Sequence, residues 1–181
     1  MENLAIKEME RLPKEKLIEL IKMYSRNWMT LDGLWFSGVE EKFGLDAATE
    51  IDIQMWKVGS LIEAKRIQGL FKLGGGLENI MKAICFMSWA PCFGYEYDLS
   101  KDRAVWTCRR CPPQEHRVRA GKGEFKCRPT FEACFKNVIQ VMDPSVRVRC
   151  LFCPPDPHPD DAWCRWEFSL PDGERQLDRR P

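Results

Sequence analysis

Apolar residues recur at helical spacing through the first half of the chain. Proline suits the first turn of a helix, and the pattern predicts a short helix from Pro13 to about Ser25. A second helix with an aromatic face is predicted to end at Gly44, because glycine readily adopts the backbone conformation that ends a helix. Asp46 is a good N-cap for the third and longest predicted helix, which the consecutive glycines Gly74–Gly76 terminate.

A fourth helix is predicted at residues 77–89. After it, apolar residues alternate with polar ones instead of recurring at helical spacing. Alternating side chains predict a β-hairpin over residues 93–108, a strand over 146–150 and a closing strand over 163–168. Between the hairpin and these strands, a helix is predicted from Thr130 to about residue 142. Helices followed by a short antiparallel sheet give an α+β fold, in which the N-terminal helices pack on the C-terminal sheet.

Length and composition are those of one globular domain. The chain has 181 residues, of which 44% are apolar and 30% are charged, enough for a substantial hydrophobic core. All nine cysteines come after residue 84, so the chain divides into a helical region, 1–91, and a cysteine-rich α+β metal-binding region, 92–170. Both regions are expected to share one domain, and residues 171–181 are predicted to form a disordered tail.

The charge balance excludes some partners. A net charge of +1 gives no general attraction to nucleic acid or to anionic membranes. The sequence also has no run of roughly 18 to 20 uncharged apolar residues and no signal-peptide core. We therefore expect a cytoplasmic protein with a small-molecule ligand and with no nucleic-acid or membrane partner; the sequence leaves a homodimer open. Reducing conditions there disfavour a disulfide framework.

Two C-x2-C pairs are the most informative chemical signal. Cys108 with Cys111, and Cys150 with Cys153, have the spacing that presents two thiolates to one tetrahedral metal ion. Zinc is the expected metal. An iron–sulfur cluster is the alternative, although the dense run of cysteines typical of such clusters is missing. In the competing interpretation, the cysteines are small buried hydrophobic residues that bind no metal.

The order of elements around these cysteines resembles the 4-vinyl reductase-type domain, a small-molecule-binding module. The similarity rests on the segments 125–129, 146–153 and 163–168 and on the helix between the first two. In that family one cysteine opens a helix, an acidic residue precedes a second cysteine by three places, and a third cysteine begins the closing strand. The resemblance implies a zinc site formed by Cys127, Cys150, Cys153 and Cys164, with Cys150 replacing the acidic ligand. Four thiolates leave no open position for water, which favours a structural metal.

Two further resemblances extend beyond that region. Over its whole length the chain is similar to an uncharacterised bacterial cytosolic family, through the segments 27–36 and 63–67 and the loop 153–158. In size and in its helical N-terminal region it also resembles 2-aminothiazoline-4-carboxylate hydrolase-like proteins, although no catalytic motif can be placed. This last resemblance makes a hydrolase or lyase the enzyme alternative.

Aromatic and charged side chains on the predicted helices indicate a ligand pocket, because a few charges among aromatic residues can orient a small organic molecule. The candidate ligand-binding residues are Trp28, Asp32, Trp35, Asp52, Trp56, Glu63 and Arg66. A later basic cluster suits an anionic ligand and consists of Arg109, Arg110, Arg117, Arg119, Lys122 and Lys126. Solvated helix faces and loops are the competing interpretation of both sets.

The sequence does not decide whether the protein is an enzyme. Neither of its two histidines, His116 and His158, lies in a motif that marks a catalytic base. Cys108, Cys111 and Cys134 lie outside the implied metal site, and a thiolate among them could act as a nucleophile or redox centre. We expect a zinc-binding protein with a small organic, anionic ligand. The alternatives are a hydrolase or lyase, an iron–sulfur or thiol redox protein, and a structural partner-binding protein.

Overall fold

The computed structural model describes residues 3–171, so nearly all of the predicted tail lies outside the described residues. Within this range, six α-helices and one short 3-10 helix accompany a four-stranded antiparallel sheet. The α+β class predicted from the sequence is therefore confirmed.

The N-terminal helices form a long hairpin. A short helix α1 (Leu4–Glu10) is followed by α2 (Lys14–Phe43) and α3 (Leu45–Phe71). The sequence pattern predicts two helices in place of α2, but no glycine or proline interrupts the chain near Ser25, and α2 continues through it. Gly44 has a φ of 88° and makes the turn between α2 and α3, a conformation that glycine adopts without steric cost.

The remaining helices are shorter. Helix α4 (Leu77–Cys85) ends earlier than predicted, and a 3-10 helix follows at Ala90–Cys92, around Pro91. Helices α5 (Pro112–Arg119) and α6 (Arg128–Met142) come after the first two strands. The sequence pattern predicts α6 but not α5, because the mostly polar residues of α5 have no apolar period.

The sheet brings distant cysteines together. Strands β1 (Gly94–Leu99) and β2 (Arg103–Arg110) form the predicted hairpin, and β3 (Arg147–Phe152) and β4 (Cys164–Ser169) complete the sheet. The spatial order is β1-β2-β4-β3, so the last strand lies between β2 and β3. Because β4 is antiparallel to both neighbours, its first residues lie beside the last residues of β2 and β3, and Cys108 pairs with Cys164.

One hydrophobic core joins the helical and cysteine-rich regions. Trp106, Trp166 and Phe168 on the inner face of the sheet are fully buried, and Phe135 of α6 packs against all three. Helix α6 in turn packs along α3, and Trp56 of α3 belongs to the same core. Each large side chain buried in this way contributes about 1.5–3 kcal/mol. Residues 1–91 and 92–170 therefore share one hydrophobic core.

The outer surface of the hairpin is apolar but exposed. We call it the hairpin face: Ile21, Tyr24, Trp28, Leu31 and Trp35 of α2 with Ile51, Val58 and Ile62 of α3. The exposed fraction of these side chains ranges from 39% at Trp28 to 65% at Leu31. Within residues 3–171, no helix is both long enough and apolar enough to cross a membrane.

Candidate functional site

A cavity of about 480 Å³ lies between the helical hairpin and the segment that carries α5 and α6. Pockets that hold small organic molecules measure roughly 300–1,000 Å³. Much of the wall is apolar or aromatic and comes from Met29, Phe36, Trp56, Trp89, Phe93, Phe125 and Phe131. This wall suits the carbon skeleton of an organic ligand.

Two largely buried aspartates lie in the cavity wall. Asp32 belongs to α2 and Asp52 to α3, and Asp52 accepts a hydrogen bond of 2.8 Å from the hydroxyl of Thr130 on α6. Burial raises the pKa of Asp32 to about 6. Burial and the nearby charge of Asp32 also raise the pKa of Asp52 to about 6, against the opposing effect of Thr130. Both carboxyls can therefore exchange a proton near neutral pH.

A buried arginine lines the same cavity. Arg117 of α5 is only 6% exposed, and its Nη1 donates hydrogen bonds of 3.1 and 2.9 Å to the carboxylate of Glu40 on α2. The rings of Phe36 and Phe125 lie 6.0 and 5.5 Å from the guanidinium. The buried Nε–H of Arg117 has no hydrogen-bond partner within residues 3–171. Almost all buried donors in proteins are satisfied. The indole N–H groups of Trp106 and Trp166 also have no partner within residues 3–171, but of the three only Arg117 lines the cavity.

Six cysteines form a thiol cluster at the end of the sheet where β2 and β3 finish: Cys108, Cys111, Cys127, Cys150, Cys153 and Cys164. The thiol of Cys153 is at the centre, because it is within hydrogen-bonding reach of Cys127, Cys150 and Cys164. Its Sγ lies 3.5 Å from that of Cys127. Cys108 connects to the cluster through Cys111 and Cys164. All six are free thiols.

The surroundings of several thiols favour the protonated form. Hydrogen bonding with Cys127 and with other cysteines raises the pKa of Cys153. Hydrogen bonding with Cys111, together with burial, raises the pKa of Cys108, and burial raises that of Cys134 to about 12. A protonated thiol is a poor nucleophile. The surroundings of Cys108 and Cys134 therefore favour the thiol over the nucleophilic thiolate, whereas hydrogen bonding with Cys153 lowers the pKa of Cys150.

The thiol cluster and the cavity share a wall, because Cys111 and Cys127 line the cavity. Gln114 of α5 is completely buried and donates a 3.3 Å hydrogen bond to Cys127 Sγ. The same side chain donates to the carbonyl of Phe125 at 2.9 Å and accepts from its amide at 3.1 Å. Gln114 thus fixes the segment that contributes both an aromatic side chain and a thiol to the cavity.

The cluster consists of residues that commonly bind metal ions, but their side chains are not arranged around a common point. Across residues 3–171, no three His, Cys, Asp or Glu side chains are arranged so that they could hold a metal ion. Thiolates are nevertheless preferred ligands of zinc, and four of these cysteines meet at Cys153. Metal binding would require these side chains to reorient towards one point.

Some of the candidate ligand residues lie in the cavity wall. Asp32, Asp52 and Trp56 line it, as does Trp89, which the sequence pattern does not predict as a ligand-binding residue. Trp28 and Trp35 lie on the hairpin face instead, and the ring of Trp28 packs edge-on against Trp56 with 6.4 Å between ring centroids. Their helical spacing is correct, but neither side chain lines the cavity.

The two remaining candidates lie elsewhere on α3. Glu63 accepts a 2.5 Å hydrogen bond from the backbone amide of Ser88. Burial raises the pKa of Glu63, and the bond from Ser88 opposes that rise. Glu63 therefore holds the chain segment after α4, while Arg66 is exposed on the surface of α3.

Only part of the basic cluster and one of the two histidines line the cavity. Arg119, Lys122 and His116 line the cavity together with Arg117, whereas Arg109 forms salt bridges with Glu96 and Asp161 at the sheet. His158 is half-buried, 3.2 Å from Glu124, outside the cavity wall. Although burial lowers the pKa of His158, hydrogen bonds with the Pro159 carbonyl and with Glu124 raise it overall.

Several residues that build the site have no recognisable signal in the sequence. Glu40 holds Arg117 from 77 residues away, and Thr130 holds Asp52 from 78 residues away. Partners so distant in sequence leave no local pattern or spacing. Only an alignment of related chains or a structure can pair them.

Together, the fold and the site define an α+β protein in which a thiol cluster borders a cavity of small-molecule size. The chain belongs to the DUF6125 family, a family of unknown function, whose model matches residues 10–170. It matches no curated protein and no solved structure.

Proposed function

We propose that this chain is a zinc-binding protein that binds a small organic anion in the cavity between the hairpin and α5–α6. One observation carries the proposal: a buried arginine with an unsatisfied N–H and two thiols of the cluster line the same cavity. A carboxylate or similar group could accept the hydrogen bond that Arg117 Nε–H does not make within residues 3–171.

The charges at this wall favour an anion. Arg117, Arg119 and Lys122 line the cavity, whereas Glu40 is their acidic neighbour. Three carboxyls, Glu40, Asp32 and Asp52, line the same cavity, so the wall has an excess of positive charge only where the two aspartates are protonated. Burial also gives Asp32 and Asp52 a pKa of about 6, so their protonation near that pH reduces repulsion of an anionic ligand.

The proposed zinc ligands are Cys127, Cys150, Cys153 and Cys164. They come from the start of α6, the end of β3 with the loop after it, and the start of β4. A zinc ion bound by four thiolates would connect these elements and stabilise the fold, because the metal binds only the folded arrangement. Cys111 and Cys108 would remain beside it as free thiols.

Metal content tests the zinc part of the proposal. We would measure metal per chain by mass spectrometry, with a visible absorption spectrum, on full-length protein purified anaerobically. We expect about one zinc per chain and no colour. Cys153→Ser should lose zinc and destabilise the C-terminal half, whereas Cys85→Ser, outside the cluster, should keep zinc. Iron with a visible chromophore would support the redox alternative, and folded metal-free native protein would contradict metal binding.

Ligand binding tests the cavity part. A panel of small organic carboxylates, each paired with its neutral amide, would be screened by thermal shift and calorimetry. We expect carboxylates to bind more tightly than amides, and Arg117→Lys to weaken them about 10–100-fold, because lysine keeps the charge facing Glu40 but removes the Nε–H donor. Arg119→Lys, at an exposed position of the cavity wall, is the matched control. Equal binding of acids and amides would contradict an anion site.

A hydrolase or lyase is the second candidate, favoured by the two cavity carboxyls. Enzymes use carboxyls with a pKa raised towards neutrality as general acids and bases. If one of the carboxylates that bind is also converted, Asp52→Asn should abolish turnover while binding persists. Unchanged turnover in this variant would remove the carboxyl pair from the mechanism.

A further inference from the structure

The hairpin face has the residue spacing of a helix-packing seam. On α2, steps of three and four residues connect Ile21, Tyr24, Trp28, Leu31 and Trp35. On α3, the same steps connect Ile51, Val58 and Ile62 through Met55, which packs against the core. This repeat is how helices present an apolar stripe to other helices in bundles. Because α2 and α3 pack side by side, the two stripes resemble one half of a four-helix bundle.

The exposed area is large enough for a stable interface. The eight side chains of the hairpin face are between 39% and 65% exposed. With roughly 150–250 Å² for a large side chain, these fractions add up to roughly 700 Å² of apolar surface. A standard interface buries about 800 Å² per partner. An exposed apolar area of this size is unusual on a protein that works alone.

Exposed charges differ between the two ends of the hairpin. The closed end, around Gly44, is acidic, with Glu41, Asp46 and Glu50 against Lys42. The open end is basic on balance: Lys65 and Arg66 are exposed on α3, and on α2 exposed Lys14, Lys16, Lys22 and Arg26 outnumber exposed Glu15 and Glu19. If two copies pack antiparallel, the acidic end of each lies against the basic end of the other. That arrangement is electrostatically complementary and obeys two-fold symmetry.

We propose that the hairpin face is a homodimer interface, on which a second copy of this chain packs antiparallel so that α2 and α3 of both copies form a four-helix bundle. The interface is separate from the cavity and does not depend on the ligand or metal proposals. It would cover Trp28 and Trp35, which explains why two large aromatic residues outside the cavity are exposed within residues 3–171.

Mass measurement of the full chain tests the proposal. Light scattering coupled to size-exclusion chromatography, at tens of micromolar, should give twice the chain mass of 21.2 kDa. Leu31→Glu should weaken the dimer at least ~100-fold, because symmetry places an unpaired charge in the interface from each copy. Leu99→Glu is the matched control, since Leu99 is an exposed apolar residue on β1, and it should remain dimeric. Circular dichroism would establish that both variants are folded.

Charge exchange tests the antiparallel orientation. Reversing the acidic end with Glu41→Lys and Glu50→Lys should weaken the dimer, and adding Lys65→Glu and Arg66→Glu should restore it. A monomeric wild-type chain would overturn the proposal, as would a dimer unaffected by Leu31→Glu. A wild-type monomer that sediments with phosphatidylcholine–phosphatidylserine vesicles would identify a lipid surface as the occupant and also overturn it. Failure of the charge exchange to restore the dimer would overturn the antiparallel packing.

Discussion

At the scale of single residues, Asp32 and Asp52 are held where ionisation is unfavourable. Both carboxyls have a pKa of about 6 in the folded protein, whereas an aspartate in an unfolded chain titrates near pH 4, about 3.9. Between these values the folded state binds more protons than the unfolded state. Stability is therefore greatest on the acidic side of this window for these two groups, and it falls as the pH rises through 6.

Replacing one of these carboxyls should stabilise the protein above that window. We expect Asp32→Asn to raise the free energy of unfolding by about 1–2 kcal/mol at pH 7.5, less than the full pKa difference implies because Asp32 retains some solvent contact. Most of this gain should disappear at pH 4. Urea unfolding at both pH values measures the effect.

Asp160→Asn, at an exposed loop position, is the control and should change stability little at either pH. A gain of the same size at pH 4 and pH 7.5 would contradict the titration argument, as would destabilisation at pH 7.5.

The aromatic residues show how far the sequence could predict the site. Trp28, Trp35 and Trp56 all lie on helices at apolar spacing, yet only Trp56 is buried in the cavity wall. Spacing tells which residues share one face of a helix. It does not tell which face turns inward, because that depends on what α3 packs against. The contact of α3 with α6 decides it for Trp56.

At the scale of helices and strands, one salt bridge connects α2 to α5. Glu40 is 14% exposed and Arg117 is 7% exposed at their side chains, and they lie 2.9 Å apart. The hydrogen bond from Arg117 lowers the pKa of Glu40, so the pair persists well below neutral pH. Helix α5 is only eight residues long, which is too short to be stable by itself. Its position depends on this pair and on Gln114.

Removing the acidic partner should therefore release α5. We expect Glu40→Gln to lower the free energy of unfolding by about 3 kcal/mol, because it leaves Arg117 buried without a counter-charge. Hydrogen exchange of the α5 amides should accelerate more than that of α6. Exposed Glu41→Gln is the neighbouring control and should cost less than about 0.5 kcal/mol. Similar effects of the two variants would show that the salt bridge does not position α5.

Strands were easier to predict from the sequence than their arrangement. Alternation identifies β1, β2, β3 and β4 within a few residues, because successive side chains of a strand lie on opposite faces of the sheet. Alternation contains no information about neighbours, so the insertion of β4 between β2 and β3 could not be deduced. That insertion pairs Cys108 with Cys164 and creates the thiol cluster. The C-x2-C spacing predicted cysteine pairs, while the sheet order determines which pairs meet.

At the scale of the whole molecule, the continuous core predicts one cooperative unfolding transition. Phe168→Ala, at a completely buried position of β4, should lower the free energy of unfolding by about 3–5 kcal/mol. The loss should appear equally in far-ultraviolet circular dichroism, which reports mostly on the helices, and in tryptophan fluorescence. Leu99→Ala, on exposed β1 surface, should cost less than about 1 kcal/mol. Separate transitions for the two signals would show that regions 1–91 and 92–170 unfold independently.

The central position of β4 also has a consequence for protein synthesis. A ribosome makes the chain from the N-terminus, so β1, β2 and β3 emerge before the strand that separates β2 from β3. Until residues 164–169 have been made, β2 and β3 lack the strand with which both pair, so their backbone edges are unpaired. The sheet that carries Trp106 is then incomplete. The nascent chain therefore completes its core only after residues 164–169 have been made. During that interval, the open strand edges can pair with other chains.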